Sequence, residues 1–145
     1  MHVIVVTGTR SLRREHQPVI SRRLKKCVPA ELAIQDVAFM SGGSWGVDTY
    51  WALEAQRLYP EACHILAAPS SPWNEKGLLE AKWDRVVHPL GGYRGRNAYM
   101  VSQAHQVEGF PLKPEANMPR SGTWMTVRMA RRREEVELKV LMLDG

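Results

Sequence analysis

The chain opens with His2-Val3-Ile4-Val5-Val6-Thr7-Gly8-Thr9-Arg10, a compact β-branched run that stops at a glycine. An apolar stretch with no polar alternation suits a strand buried on both faces of a parallel sheet. Leu12 to Val28 follows, with Val19, Ile20, Leu24 and Cys27 at helical spacing and Pro29 just beyond, which predicts a helix. The alternation then repeats. Asp36 to Met40 predicts a second strand, Val47 to Leu58 a helix with Tyr50, Trp51, Leu53, Ala55 and Leu58 inward, and Ala62 to Ala67 a third strand. Neither a helix nor a central strand can continue through Pro69-Ser70-Ser71-Pro72.

Further on, Glu75 to Asp84 is helical in pattern, either a lid or simply a helix, and Arg85 to His88 is a short extended piece before Gly91-Gly92. Asn97 to His105 reads as a helix, Gln106 to Phe110 as extended, Pro111 to Pro119 as a loop, Thr123 to Arg133 as a helix and Val136 to Leu143 as a final strand. Strands alternating with helices along the whole chain predict an α/β fold. The architecture expected is a Rossmann-like three-layer sandwich, its mostly parallel central sheet flanked by helices. A length of 145 residues suits one domain, residues 1–145.

Composition narrows the function classes. A hydrophobic fraction of 44% with 24% charge is ordinary for a globular chain and argues against disorder. No apolar run approaches the roughly 18 residues of a membrane helix, and the first residues lack a signal pattern, so the expectation is a cytoplasmic protein with no membrane partner. Cys27 and Cys63 lie far apart and read as buried reduced thiols. The five histidines show no ligand spacing, so no metal site is expected. The net charge of +5 favours anionic partners. Its basic clusters, Arg10 to Lys26 and Arg128 to Arg133, also read as solvated helix faces.

Ligands of open α/β sheets bind beyond the carboxyl ends of the strands, so the residues there are the candidates. Thr7-Gly8-Thr9-Arg10 ends the first strand; it offers a hydroxyl and a guanidinium for phosphate, or is a plain turn with an exposed arginine. Ser41-Gly42-Gly43-Ser44-Trp45-Gly46-Val47-Asp48 ends the second and opens onto a helix, a natural anion site if it is not merely a flexible turn. Within it Trp45 is a stacking or a core residue, and Asp48 a cap, a ribose partner or a weak catalytic candidate without a partner carboxylate. Gly91 to Asn97 places Arg94 and Arg96 in a glycine-rich turn beside Tyr93, or is an exposed basic loop. Pro119-Arg120-Ser121-Gly122-Thr123-Trp124 precedes another helix, where Ser121 and Thr123 cap it with or without a ligand.

These four loops, in this order, resemble the SLOG superfamily and within it the small YspA-like proteins. The likeness covers essentially the whole chain. It is carried by Val5 to Arg10, Ser41 to Asp48, Arg96-Asn97 with Met100, and Ser121-Gly122-Thr123 with Ala130. The resemblance implies a Rossmann-like fold and a pocket for a small nucleotide-derived ligand such as ADP-ribose, an NAD-related compound or a signalling nucleotide, with no other cofactor. It also implies a homo-oligomer in a phage or bacterial setting, in nucleotide signalling, stress response or phage–host conflict. On this reading Gly8, Gly42, Gly43, Gly46 and Gly122 admit phosphates to the backbone, Arg10 and Arg96 neutralise charge, and Asn97, Asp48 and Thr123 hydrogen-bond ribose or phosphate. Thr9, Ser41, Trp45, Ser121 and Trp124 complete the expected ligand-binding set, Trp124 and Met125 being equally readable as core residues or as ligand contacts.

Two related families set the alternatives. The LOG, or lysine-decarboxylase-like, phosphoribohydrolases carry a PGGxGTxxE motif. The matching stretch here, Pro119 to Thr126, breaks the glycine pair and holds Thr126 where that family has its catalytic glutamate. A threonine cannot replace a carboxylate in proton transfer at neutral pH. The DNA-processing DprA type binds single-stranded DNA, which the positive charge and five tryptophans would suit. Nucleic acid is nevertheless the less favoured partner, because Trp45, Trp51, Trp73, Trp83 and Trp124 are not interleaved with the basic clusters.

Overall fold

The computed structural model describes residues 1–69 and 82–144. Its strands are β1 (His2–Gly8), β2 (Val37–Ser41), β3 (Cys63–Ala67), β4 (Arg85–Val87), β5 (Gln106–Phe110) and β6 (Glu137–Val140), in the order β4-β3-β2-β1-β5-β6. Every pairing among the described residues is parallel, with Ile4 beside both Phe39 and Gln106. Its helices are α1 (Gln17–Cys27), α2 (Val47–Leu58), α3 (Gly92–Gln103) and α4 (Gly122–Arg131).

Strand alternation divides the core into two layers. Ile4, Val6, Phe39 and Phe110 pack against Ile20 and Leu24 of α1 and against Val47, Trp51 and Ala55 of α2. Val5, Met40, Ile65 and Val107 face the other way, toward Met100 and Val101 of α3 and Ala130 of α4. The sheet is therefore covered on both sides, as the uninterrupted apolar strands require. The Rossmann-like α/β architecture read from the sequence is the one found.

Several boundaries move, each for a local reason. The first helix starts at Gln17 and not at Leu12, because Arg14–His16 forms a 3-10 turn and Pro18 sits in the first turn, where its missing N–H costs nothing. The third begins at Gly92, not Asn97, so the supposed basic loop is largely the start of a helix. Gly91 takes φ +92° ahead of that helix, and a Cβ on Gly95 would lie 1.9 Å from the Leu90 carbonyl oxygen. Glycine's poor helix propensity hid this start. The last helix stops at Arg131, and β6 at Val140. Beyond β6 the chain runs on as an irregular strap, with the Leu143 and Asp144 amides bonded to the Pro111 and Leu112 carbonyls. The expected helix or lid over Glu75 to Asp84 lies outside the described residues except for Lys82 to Asp84, which are not helical.

Connections decide where a ligand can enter. From β1 the chain winds through β2 and β3 to β4 on one side, then crosses back to place β5 on the other side of β1. At such a reversal the loops leaving neighbouring strands diverge, opening a crevice at their carboxyl ends.

Candidate functional site

The crevice at that reversal is a cleft of about 420 Å³ lined by the β1 end, the β2–α2 loop, α3 and the start of α4. That volume is within the usual range for a small-molecule site. Of the residues expected from sequence, Gly8, Thr9, Arg10, Asp48, Arg96, Asn97, Ser121, Gly122 and Thr123 line it. Ser41, Gly42, Gly43, Trp45, Gly46 and Trp124 do not. Thr7, Ser11, Ser44, Tyr93, Met100, Met118 and Met125 complete the lining. Ser44 belongs to the glycine-rich second loop, whereas Ser11 and Met118 carry no local pattern that would single them out, since only the folding of separate loops onto one point brings them there.

The cationic side of the cleft is built around Tyr93. The Arg96 guanidinium lies 5.3 Å and that of Arg10 5.6 Å from its ring centroid, both within reach of the attraction between a cation and an aromatic face. Arg96 is buried; its Nε donates to Asn97 Oδ1 at 2.7 Å and its Nη1 to the Gly42 carbonyl oxygen. Arg10 is exposed, and its Nη2 donates to Ser44 Oγ at 3.4 Å. One arginine is thus locked into the protein while the other reaches over the opening.

Three glycines at the ends of β1 and β2 are in close contact with the rest of the protein. A Cβ on Gly8 would lie 2.4 Å from Val47 Cβ, and one on Gly46 would lie 2.4 Å from the Thr9 carbonyl oxygen. Both residues let α2 close on β1, where the Val47 amide donates to the Thr9 carbonyl at 3.1 Å. Gly42 makes room for the Arg96 guanidinium, 2.5 Å from where its Cβ would be. These three serve close packing of the protein on itself. The Ser41 hydroxyl is spent in the same loop, donating to the Asp48 carbonyl at 3.3 Å and accepting from the Gly43 amide. Asp48, also buried, accepts from the Ser44 amide at 3.4 Å through Oδ2.

At α4, Ser121 is the N-cap and its Oγ accepts from the Trp124 amide. The Met125 amide is bonded to the Ser121 carbonyl, which leaves the first-turn amides of Gly122 and Thr123 without a partner among the described residues. Trp124 itself is buried; its Nε1 donates to the Lys113 carbonyl at 2.9 Å and its ring carries the Arg131 guanidinium, so it anchors the β5–α4 loop. Thr126 is fully buried and donates to the Gly122 carbonyl at 3.0 Å, so the position where LOG enzymes carry a glutamate serves the helix backbone here.

Within the basic clusters, Arg13, Arg23, Arg128, Arg131 and Arg133 are ion-paired with acidic side chains. Arg23 makes a two-pronged pair with buried Glu108, both contacts at 2.9 Å, while Arg128 and Arg131 converge on Glu115. Desolvation pushes the Glu108 carboxyl up, with Arg23 opposing it. The Arg13 guanidinium and His16 both pair with Asp144. Among the described residues no cluster of three or more His, Cys, Asp or Glu could hold a metal ion, and no helix is long and apolar enough to cross a membrane.

No protein-family model matches the chain, and no curated protein matches it in sequence. Solved structures do. DNA processing protein A from Helicobacter pylori, described with a single-stranded DNA binding mode, superposes with a TM-score of 0.65 at 16% identity over 96% of this chain and 64% of its own. The fold is shared with DNA processing protein A. The Streptococcus pneumoniae protein of that name gives a TM-score of 0.63 at 14% identity, covering 97% of this chain and 50% of its own. TM1055, a structural-genomics target, gives 0.57 at 15% identity over 90% of this chain and 68% of its own. The chain thus spans from half to two thirds of the length of these structures.

Proposed function

We propose that the cleft binds a nucleotide or nucleotide-derived ligand, its phosphate directed toward Arg10, Arg96 and the first turn of α4. One observation carries this reading: two guanidinium groups stacked on one tyrosine share a cleft with the amides of a helix N-terminus. A helix N-terminus presents N–H groups and partial positive charge, and the arginines add two formal charges. Asp48, lining the same cleft, is an acceptor suited to ribose hydroxyls. The reading agrees with the SLOG-like loops of the sequence and treats residues 1–145 as one sensing or sequestering domain.

Single-stranded DNA is the second reading, favoured by the DNA-binding structural neighbour and by two exposed aromatics, Trp45 at 46% and Tyr93 at 40% exposure. Bases stack on such residues without sequence preference. Against it, Arg13, Arg23, Arg128, Arg131 and Arg133 of the basic clusters are already paired with acidic side chains.

The test is thermal melting with AMP, ATP, NAD, ADP-ribose, cyclic dinucleotides and short oligo-dT. A ligand at 100 times its dissociation constant stabilises by about 2.7 kcal/mol. A shift with a mononucleotide or ADP-ribose, lost in Arg10→Ala while the unliganded melting point holds, supports the cleft. Stabilisation by oligo-dT alone, falling steeply with salt, transfers the assignment to DNA. Release of free base from a nucleoside monophosphate would instead make the protein a hydrolase.

A further inference from the structure

The cleft has a second side that phosphate recognition leaves unused. Met100, Met118 and Met125 all line it, three of the seven methionines of the chain. They come from three separate places: α3, the β5–α4 loop and the second turn of α4. Met100 lies four residues beyond Arg96, so α3 presents both on one face, with the arginine nearer its N-terminus. Met125 is likewise four residues beyond the N-cap Ser121. Each helix therefore offers a polar group first and a thioether one turn further in. Met100 is 1% exposed and forms a floor, while Met118 and Met125 are partly exposed and remain accessible from the cleft.

Core filling explains Met100 but not the other two, whose side chains keep solvent contact beside an open space. Nothing lies within 4 Å of a Cβ built on Gly122, so the first turn of α4, between them in sequence, faces open space. Thioethers are polarisable, adjust their rotamers and pack favourably on aromatic rings. A cationic side and a thioether side in one cleft match a ligand with a phosphate at one end and a flat, uncharged ring at the other.

We propose that Met100, Met118 and Met125 form the nucleobase subsite of the cleft, taking the ring between α3 and the start of α4. This rests on the nucleotide reading above and adds to it where the base lies and which residues hold it. The wall contributes shape and dispersion and no directional hydrogen bond, so it separates ligands that carry a base from those that do not far better than it separates one base from another.

The experiment uses the intact chain with methyl-labelled methionine, titrated with AMP, GMP, CMP, UMP and ribose 5-phosphate. The expected result is binding of the nucleotides at least tenfold tighter than ribose 5-phosphate, in keeping with three thioether–ring contacts acting together. Ring currents should shift the Met118 and Met125 methyl signals with nucleotides, not with ribose 5-phosphate, and leave Met1 and Met142 unmoved. Met125→Ala and Met118→Ala should each erase much of the nucleotide advantage while ribose 5-phosphate affinity stays within about twofold; Met125→Leu should retain most of it. Ribose 5-phosphate binding as tightly as AMP, or unshifted methyl signals on nucleotide binding, overturns the subsite and leaves the phosphate site standing. Failure of all five ligands to bind overturns both.

Discussion

Gly46→Ala tests whether the β1–α2 junction is held by direct backbone contact. Gly46 takes φ +82° and ψ −124°, a conformation that residues with a Cβ rarely adopt, and such strain costs about 1–3 kcal/mol. The new Cβ would lie 2.4 Å from the Thr9 carbonyl oxygen and 2.7 Å from that of Arg10. Both are main-chain atoms, so no side-chain rotation relieves the clash. The loop must move away from β1, and the 3.1 Å bond from the Val47 amide to Thr9 is stretched or lost, at roughly 0.5–1.5 kcal/mol. The two terms sum to about 1.5–4.5 kcal/mol, and because the clash falls on main-chain atoms the expected loss lies in the upper part of that range, about 3–4 kcal/mol. For a chain of this size that lowers Tm by roughly 6–16 °C. Far-UV circular dichroism melts, with urea titrations for the free energy, provide the measurement. Gly122→Ala is the control: its Cβ meets open space at an unstrained φ, so stability should stay within about 0.5 kcal/mol. A Gly46→Ala melting point within about 3 °C of the parent would refute the packing argument.

Arg96→Lys should lose about 1.5–3 kcal/mol, because one ammonium cannot span the Gly42 carbonyl and Asn97 Oδ1 as the guanidinium does; a urea midpoint equal to the parent's contradicts this. Hydrogen bonding to His16, reinforced by Arg13, holds the Asp144 carboxyl below its ordinary value of 3.8. Its stabilising effect is therefore complete above that value and fades as pH falls through the lowered one. Asp144→Asn should flatten that acid limb of a stability–pH curve, and an unchanged limb removes the strap from the account. Burial pushes the Cys27 thiol up to about 12 and raises that of half-buried Cys63 less. A disulfide reagent at mildly alkaline pH should leave Cys27 untouched and modify Cys63 slowly, with both reacting fast in denaturant. Rapid labelling of Cys27 in the native protein would show that its helix opens readily.

The sequence by itself determined the architecture, because burial on two faces imposes a pattern that needs no partner to be recognised. Unbroken runs such as Val3 to Val6 and Val37 to Met40 fit only a sheet covered by helices on both sides, and Val47 to Leu58 carries its helical period openly. The location of the cleft was legible too, since strand ends are where such sheets admit ligands. What each loop residue does there was decided by tertiary structure. Gly8, Gly42 and Gly46 read as openings for a phosphate, yet the atoms that need their missing side chains belong to Val47, Arg96 and Thr9. Trp124 read equally as a core residue or a ligand contact, and its buried ring anchors the loop before it. The start of α3 was hidden, because glycine-rich sequence argues locally against helix while the turn at Gly91 and the close pass of Gly95 at Leu90 favour it globally. Met118 shows the same limit from the other side. A methionine carries no periodic or chemical signature of a site, and only the meeting of α3, α4 and their loops at the reversal beside β1 places three of them around one cleft. Chain pattern records which residues must leave water; which of them face one another depends on contacts between segments far apart in sequence.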